Sequence, residues 1–401
     1  MNDFYFTLNL PHPTGQMLRG KGLFDHCEGS QGEQHLLEKW LSSWNKKITS
    51  FPAVAVGFVR YDGSFWFGIP NRCQFITYRQ YLNSSVEKHL PTDACNTNCR
   101  STPFPKQKLL DPIPCKISSS LDYVQYIHAV KRAQHYINAG DIYQVNICRI
   151  ISGECHLQPD SLAKRLFRIS AAPYFSHIHI HQTDIISASP ELFAEIQHNT
   201  ITTQPIKGTR RRAAEPEVDA QLALELSQCP KELAELIMIT DLERNDLGRI
   251  CTYGSVRVIE LAVQKVFPHV RHLVSTITGN LLPGISPVEA LFSCLPGGSI
   301  TGAPKIRAMQ IISEIEPVAR GLYCGVIGYF DLTQPAARFS IAIRTIELRD
   351  GQFRFGVGSG ITSDSIPPRE WEETNWKAAP LLQALGFQSE AVVSSETGAN
   401  S

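Results

Sequence analysis

Gln204-Pro205-Ile206-Lys207-Gly208-Thr209, followed by Arg210-Arg211-Arg212, comes directly after the strand-like run Thr200-Ile201-Thr202-Thr203. Proline fixes φ on one side of the lysine and glycine admits close backbone approach on the other, so the stretch suits an amine held rigidly at a pocket wall. Taken alone, such a lysine is more often a solvated loop residue. The neighbouring sequence decides between the two.

The chain has 401 residues, enough for one large or two ordinary domains with a sizeable core. Apolar residues make up 43% and charged residues 19%, the profile of a soluble globular protein. Lys+Arg and Asp+Glu both number 38, which gives no argument for nucleic acid or an anionic membrane as partner. The 11 cysteines, an odd number, point to reduced thiols and a cytoplasmic setting. Cys95-Asn96-Thr97-Asn98-Cys99 has no second Cys/His pair nearby and is expected to be a loop. Asp3 and Pro11 fall early and no continuous apolar run follows, which argues against a signal peptide or membrane anchor.

Outward from Lys207, the patterning predicts an α+β fold. His35–Trp44 and Leu121–Ile137 have helical spacing, the latter ended by Asn138-Ala139-Gly140. Ala53–Val59 and Ser64–Ile69 read as buried strands around Asp62-Gly63. Residues 1–82 form one segment. Residues 83–120, polar and carrying five prolines, read as an irregular connection. Helices and strands alternate over 121–386, and 387–401 is expected to be a disordered tail.

Several constellations lie in 121–386. Glu232 and Glu235 stand at i and i+3 of one predicted helix, Glu370 and Glu373 at i and i+3 of another, so each pair shares a helical face. Such pairs are commonly solvated. Leu233, Leu236, Ile237, Met238 and Ile239 argue instead for a largely buried helix, where two facing carboxylate pairs would suit Mg2+. Pro296-Gly297-Gly298-Ser299-Ile300-Thr301-Gly302-Ala303-Pro304-Lys305 runs into a helical pattern, and Gly356–Ile361 is also glycine-rich. Neither fits a dinucleotide or Walker loop. Glycine-rich turns with free N–H groups suit an anion, here a small carboxylate. Arg344 interrupts an apolar strand, as a carboxylate clamp or as half of an internal salt bridge. Glu191, in Ser189-Pro190-Glu191-Leu192-Phe193, is either a strand-end acid or a turn residue.

Together these stretches resemble the chorismate-utilising enzymes. The resemblance runs from Gly140–Ile147 through Ser189-Pro190-Glu191, Pro205–Thr209, Asp241–Gly248, His272–Ser275 and Pro296–Lys305 to Ala342–Thr345, Gly358–Ile361 and Glu370–Thr374. It covers about two thirds of the chain, in order. It implies an α/β/α sandwich of two large antiparallel sheets with flanking helices. In that fold, 121–386 is the chorismate-binding catalytic domain and 1–82 the N-terminal part. Family members that add water to chorismate have a lysine base where this chain has Gln144, and anthranilate-forming members have alanine where it has Lys207. The pair found here resembles the branch that aminates C4 on the route to 4-aminobenzoate and folate. Anthranilate formation, or a non-catalytic chorismate- or tryptophan-binding module, is the alternative. Lys207 speaks against the first, and intact Glu191, Lys207 and both Glu pairs against the second.

The resemblance also implies roles. Lys207 attacks C2 while Glu191 protonates the departing C4 hydroxyl, and ammonia then enters at C4 as Lys207 leaves. Mg2+ binds through Glu235 and Glu373, supported by Glu232 and Glu370. Arg344 and Tyr323, with N–H groups of Gly358, Ser359 and Gly360, take the side-chain carboxylate of chorismate. His272 and Thr301 line the pocket, and Gln144, Thr209 and Lys377 belong to the same substrate set. No Cys-His glutaminase signature is evident, which implies ammonia from a separate glutamine amidotransferase subunit.

Overall fold

The computed structural model describes residues 4–9, 16–45, 53–83, 117–267 and 270–387. Residues 4–83 form β1 (Phe4–Asn9), β2 (Gln16–Gly29), α1 (Gln34–Asn45), β3 (Val54–Val59), β4 (Phe65–Thr77) and α2 (Tyr78–Asn83). β3 and β4 lie where the apolar runs place them, on either side of a turn at Gly63, φ +87. Glycine meets that φ without a Cβ penalty.

The next elements are β5 (Ile117–Ser119), α3 (Tyr123–Asn138), β6 (Gln144–Glu154), α4 (Pro159–Ser170), β7 (Tyr174–Ile180), β8 (Thr183–Ser189), β9 (Leu192–Gln197), β10 (Thr200–Gln204) and β11 (Ile206–Arg211). α3 opens on a capping box between Asp122 and Gln125, which satisfies two otherwise orphaned N–H groups. Then come α5 (Pro216–Gln228), α6 (Pro230–Gly248), β12 (Arg257–Val266), β13 (Val270–Asn280), α7 (Pro287–Cys294), β14 (Gly302–Ala303) and α8 (Lys305–Ile315). The chain closes with β15 (Val326–Asp331), β16 (Ala336–Ile341), β17 (Thr345–Arg349), β18 (Gln352–Ile361) and α9 (Pro367–Leu385).

Every strand pairing is antiparallel. The path starts at β12, passes β13 to β10 and β11, and continues from β10 through β9, β16, β15, β3, β4, β2, β1, β7, β8, β17 and β18. It ends at β6, which carries β5 and β14. Residues 4–83 therefore supply central strands of the path. The path folds back on itself, so that Cys148 and Ile150 of β6 share a core with Phe67, Phe193, Phe330 and Phe339. Helices cover the outside: α4 and α9 close one apolar cluster, and α3 and α8 another. This is the expected α+β sandwich.

Two boundaries differ from expectation. Ile117–Ser119, assigned to the irregular connection, pairs with β6 as β5. Phe387, assigned to the tail, packs on Phe353 at 5.9 Å between ring centroids. The rest of the connection with Cys95 and Cys99, and the tail from 388, lie outside the described residues. Among the described residues the cysteines are free, and no helix is long and apolar enough to cross a membrane.

Candidate active site

Pro205 separates β10 from β11, and each strand carries an irregularity beside it. On β10 the register shifts between Thr202 and Gln204, around Thr203; on β11 it shifts between Lys207 and Thr209, around Gly208. Bulges re-aim side chains. Gly208 has φ +72, which favours glycine, and a Cβ there would meet Glu232 Oε2 at 2.4 Å and displace that carboxylate. Past the bulge Thr209 pairs with His272, and Thr209 Oγ1 lies 2.9 Å from His272 Nδ1.

Lys207 is half-buried, and its Nζ donates to the Ser299 carbonyl at 3.3 Å. A methyl group at Gly360 would fall 2.3 Å from Gln144 Nε2 and 3.6 Å from Lys207 Nζ, so amine and amide converge on this glycine. Glu191 sits on the link between β8 and β9, where its Oε1 accepts the Ile206 N–H at 3.3 Å. It is 4% exposed. Burial pushes its carboxyl up to about 7, against the opposing pull of Ser299 and Lys207. An acid in that range can give or take a proton near neutrality. His272 is 1% exposed, with Nε2 lacking a partner. Burial, then the Arg344 charge, bring it down to about 4, so it is neutral at pH 7.

The opposite wall is cationic. Arg344 adopts φ +51, a left-handed conformation that non-glycine residues take at a cost. Its guanidinium forms no hydrogen bond or ion pair among the described residues, which favours the clamp over the internal salt bridge. It keeps part of its surface open although it lies deep in the fold, as a side chain lining a recess does. Lys377 Nζ donates to Gly358 O at 2.8 Å. Cys148 and Asn146, the β6 partners of Gly358 and Gly360, give their N–H groups to Glu316 and to Thr301 O. Gly358 and Gly360 therefore turn their own N–H groups away from β6, into the recess.

The same alternation corrects the reading of Ser359. Its N–H faces β6, and its hydroxyl lies 2.8 Å from Tyr126 Oη, so it takes no part in the clamp. The glycine-rich turn before α8 is corrected as well. Gly302 and Ala303 pair with Val145 and Gln144, so a β-bridge and Pro304 stand between the glycines and the helix. Thr301 is fully buried with its hydroxyl committed to Gly297 O at 2.8 Å, and Tyr323 packs its ring beneath Gly356. Both support the wall.

α6 and α9 bring the four carboxylates to one end of the recess. Lys231 bridges the helices, 4.0 Å from Glu235 and 3.6 Å from Glu370. Arg210 holds Glu232 at 2.8 Å and Lys377 holds Glu373 at 2.7 Å. Burial raises Glu235, and the charges of Glu373 and Glu370 add to it, so the pairs feel each other. At Glu373 burial is outweighed by Lys377, Lys207 and Lys231, which hold it below the usual carboxylate range. Glu232 Oε2 and Glu370 Oε2 are buried without a hydrogen-bond partner. No group of three or more His, Cys, Asp or Glu side chains placed to hold a metal ion occurs among the described residues. Orphaned carboxylate oxygens without a cage fit a hard cation held by one or two carboxylates and completed by other oxygens.

Two contributors went unread in the sequence. Ser299, inside the glycine stretch, touches both Lys207 and the Glu191 side of the wall. Arg320, fully buried, donates to Asn146 O at 2.7 Å and Ile300 O at 2.9 Å, tying β6 to that stretch.

The family described as chorismate binding enzyme matches residues 19–383. Anthranilate synthase component 1 of Thermus thermophilus is 42% identical over 260 residues, 65% of this chain and 56% of that protein. Aminodeoxychorismate synthase component 1 of Bacillus subtilis is 41% identical over 265 residues, 66% of this chain and 56% of that protein. The chain thus matches little more than half the length of these relatives. Anthranilate synthase component I from Streptococcus pneumoniae, a solved structure, has a TM-score of 0.76 at 27% identity, covering 92% of this chain and 93% of that one. The menaquinone-specific isochorismate synthase of Escherichia coli, also at 0.76 but 17% identical over 96% of this chain and 89% of that one, shares the fold. The chain belongs to the chorismate binding enzymes.

Proposed function

We propose that the chain is an aminodeoxychorismate synthase component I, converting chorismate and ammonia to 4-amino-4-deoxychorismate for 4-aminobenzoate and folate synthesis. The observation that carries this is the Lys207 amine on the same short stretch of wall as Glu191, an acid whose proton affinity lies near neutrality. Lys207 attacks C2 of the ring while Glu191 gives its proton to the departing C4 hydroxyl, and ammonia displaces Lys207 as it enters at C4. Arg344 and the N–H groups of Gly358 and Gly360 take the side-chain carboxylate, a charge-assisted set of donors. Glu235 and Glu373, with Glu232 and Glu370 behind them, would hold Mg2+, which neutralises the ring carboxylate. Ammonia would be supplied by a glutamine amidotransferase subunit, in keeping with relatives named as components.

Anthranilate formation is the second reading, favoured by the 42% identity to the Thermus thermophilus protein. Incubation of the purified chain with chorismate, Mg2+ and ammonium, with the product identified by mass and ultraviolet spectrum, separates the two. 4-Amino-4-deoxychorismate supports the proposal; anthranilate with pyruvate overturns it. Glutamine in place of ammonium should give no product with the chain alone.

A further inference from the structure

On β6 the side chains that face the helices are Val145, Ile147, Arg149 and Ile151, every second residue. The three aliphatic ones pack in the apolar clusters that the helices close, and Arg149 between them is 1% exposed. A guanidinium is far costlier to bury there than an apolar side chain of similar volume. Its partners show what it does.

Three of those partners lie on α9. Arg149 Nε donates to Thr374 Oγ1 at 3.0 Å, Nη2 donates to Asn375 Oδ1, and the guanidinium lies 4.0 Å from the Trp371 ring centroid. Nη1 reaches Ser119 Oγ on β5 at 3.2 Å, which braces the guanidinium from behind. Trp371 and Thr374 are both buried, and they directly follow Glu370 and Glu373 in sequence. Successive helical residues lie about 100° apart, so whatever fixes Trp371 and Thr374 also fixes where the two carboxylates point.

The start of α9 needs such a hold. Its N-cap, Ile366, offers no side-chain cap, and Pro367 and Pro368 carry no N–H. From α3, Tyr123 and Tyr126 meet the Trp371 ring at 5.7 and 5.6 Å. Ring packing of that kind is weakly directional, whereas the planar fork of Arg149 sets an angle.

We propose that Arg149 is a positioning residue for the Mg2+ site: it locks the rotation of α9 so that Glu370 and Glu373 face Glu232 and Glu235. The proposal rests on the Mg2+ reading given above. Lysine would keep the charge but could not bond Thr374 and Asn375 together while stacking on Trp371.

The test is a calorimetric Mg2+ titration of the full chain without substrate, set beside the thermal midpoint of each variant. R149M should weaken Mg2+ by about tenfold, the effect of losing a group that orients ligands. Its thermal midpoint should stay level or rise, because an apolar side chain replaces a buried charge. A merely structural role would instead lower the midpoint and leave the affinity of the folded chain intact. R149K should bind Mg2+ no better than R149M. The R149M penalty should shrink in an E373Q background and persist in E235Q, since only the first removes a carboxylate that Arg149 positions. Equal Mg2+ affinity in wild type and R149M, or the same penalty in both backgrounds, overturns the proposal. If R149M fails to fold, T374V, which keeps the shape and removes the oxygen that Arg149 binds, should weaken Mg2+ by a few-fold, and an unchanged affinity overturns it. Wild-type chain that takes up no Mg2+ would sink the metal reading together with this one.

Discussion

Lys207, Glu191, Thr209 and His272 are carried by strands or strand links, whereas Glu232, Glu235, Glu370 and Glu373 project from two helices. In the first region the ladder register sets each position, charge is scarce, and the useful property is the Glu191 proton affinity moved toward neutrality. In the second, four like charges crowd together, are met by Lys231, Arg210 and Lys377, and still leave two oxygens orphaned. One region holds a proton donor as it stands; the other holds carboxylate oxygens that its own cations leave partly unpaired. Rigid burial tunes a single group, whereas a cluster of like charges is settled by counter-charges or by keeping a proton.

That contrast can be broken at its strongest point first. Glu191→Gln keeps the shape and removes the proton, so C4 amination should fall by about 10²–10⁴ in kcat, measured at saturating chorismate and ammonium. Activity within a few-fold of wild type would remove Glu191 from the chemistry. Next, Glu235→Gln or Glu373→Gln should weaken Mg2+ and chorismate together, by about 10–100-fold each in titrations monitored by calorimetry. Loss of Mg2+ affinity with chorismate affinity intact would separate the carboxylate rim from the substrate.

Stability gives a smaller effect with a defined sign. Below about 4.5, the ordinary Glu value, folded and unfolded chains both hold the Glu191 proton. Between 4.5 and about 7 only the folded chain holds it, so this group's contribution falls as pH rises and levels off above 7. The deficit is about 3 kcal/mol, the cost of a shift of roughly 2.5 units. Glu191→Gln should therefore raise the thermal midpoint at pH 8 and leave it nearly unchanged at pH 4.5, while Glu373→Gln should show no such pattern. The smallest effect belongs to Lys231, whose amine competes for the same oxygens: Lys231→Gln should tighten Mg2+ by a few-fold.

The fold was legible wherever periodicity was strong, as in α3 with its cap and glycine stop and in α6 and α9 with their paired glutamates. Lys207, Glu191 and Arg344 were legible because a polar residue interrupting an apolar or rigid context stands out. Ser359 was misread because a glycine-serine-glycine run looks like a loop, and only pairing to β6 shows that successive N–H groups alternate. Ser299 and Arg320 stayed hidden for a different reason. Each matters through a partner far away in sequence, brought near by the fold.

The central claim is that Lys207 is a nucleophile rather than part of the wall. Wild-type chain should be mixed with chorismate and Mg2+ without ammonia, quenched, and read by intact-mass spectrometry with peptide mapping. The account predicts a ring adduct on Lys207, suppressed in Glu191→Gln and released when ammonium is added. An unmodified Lys207, together with undiminished 4-amino-4-deoxychorismate formation by Lys207→Ala, would contradict it.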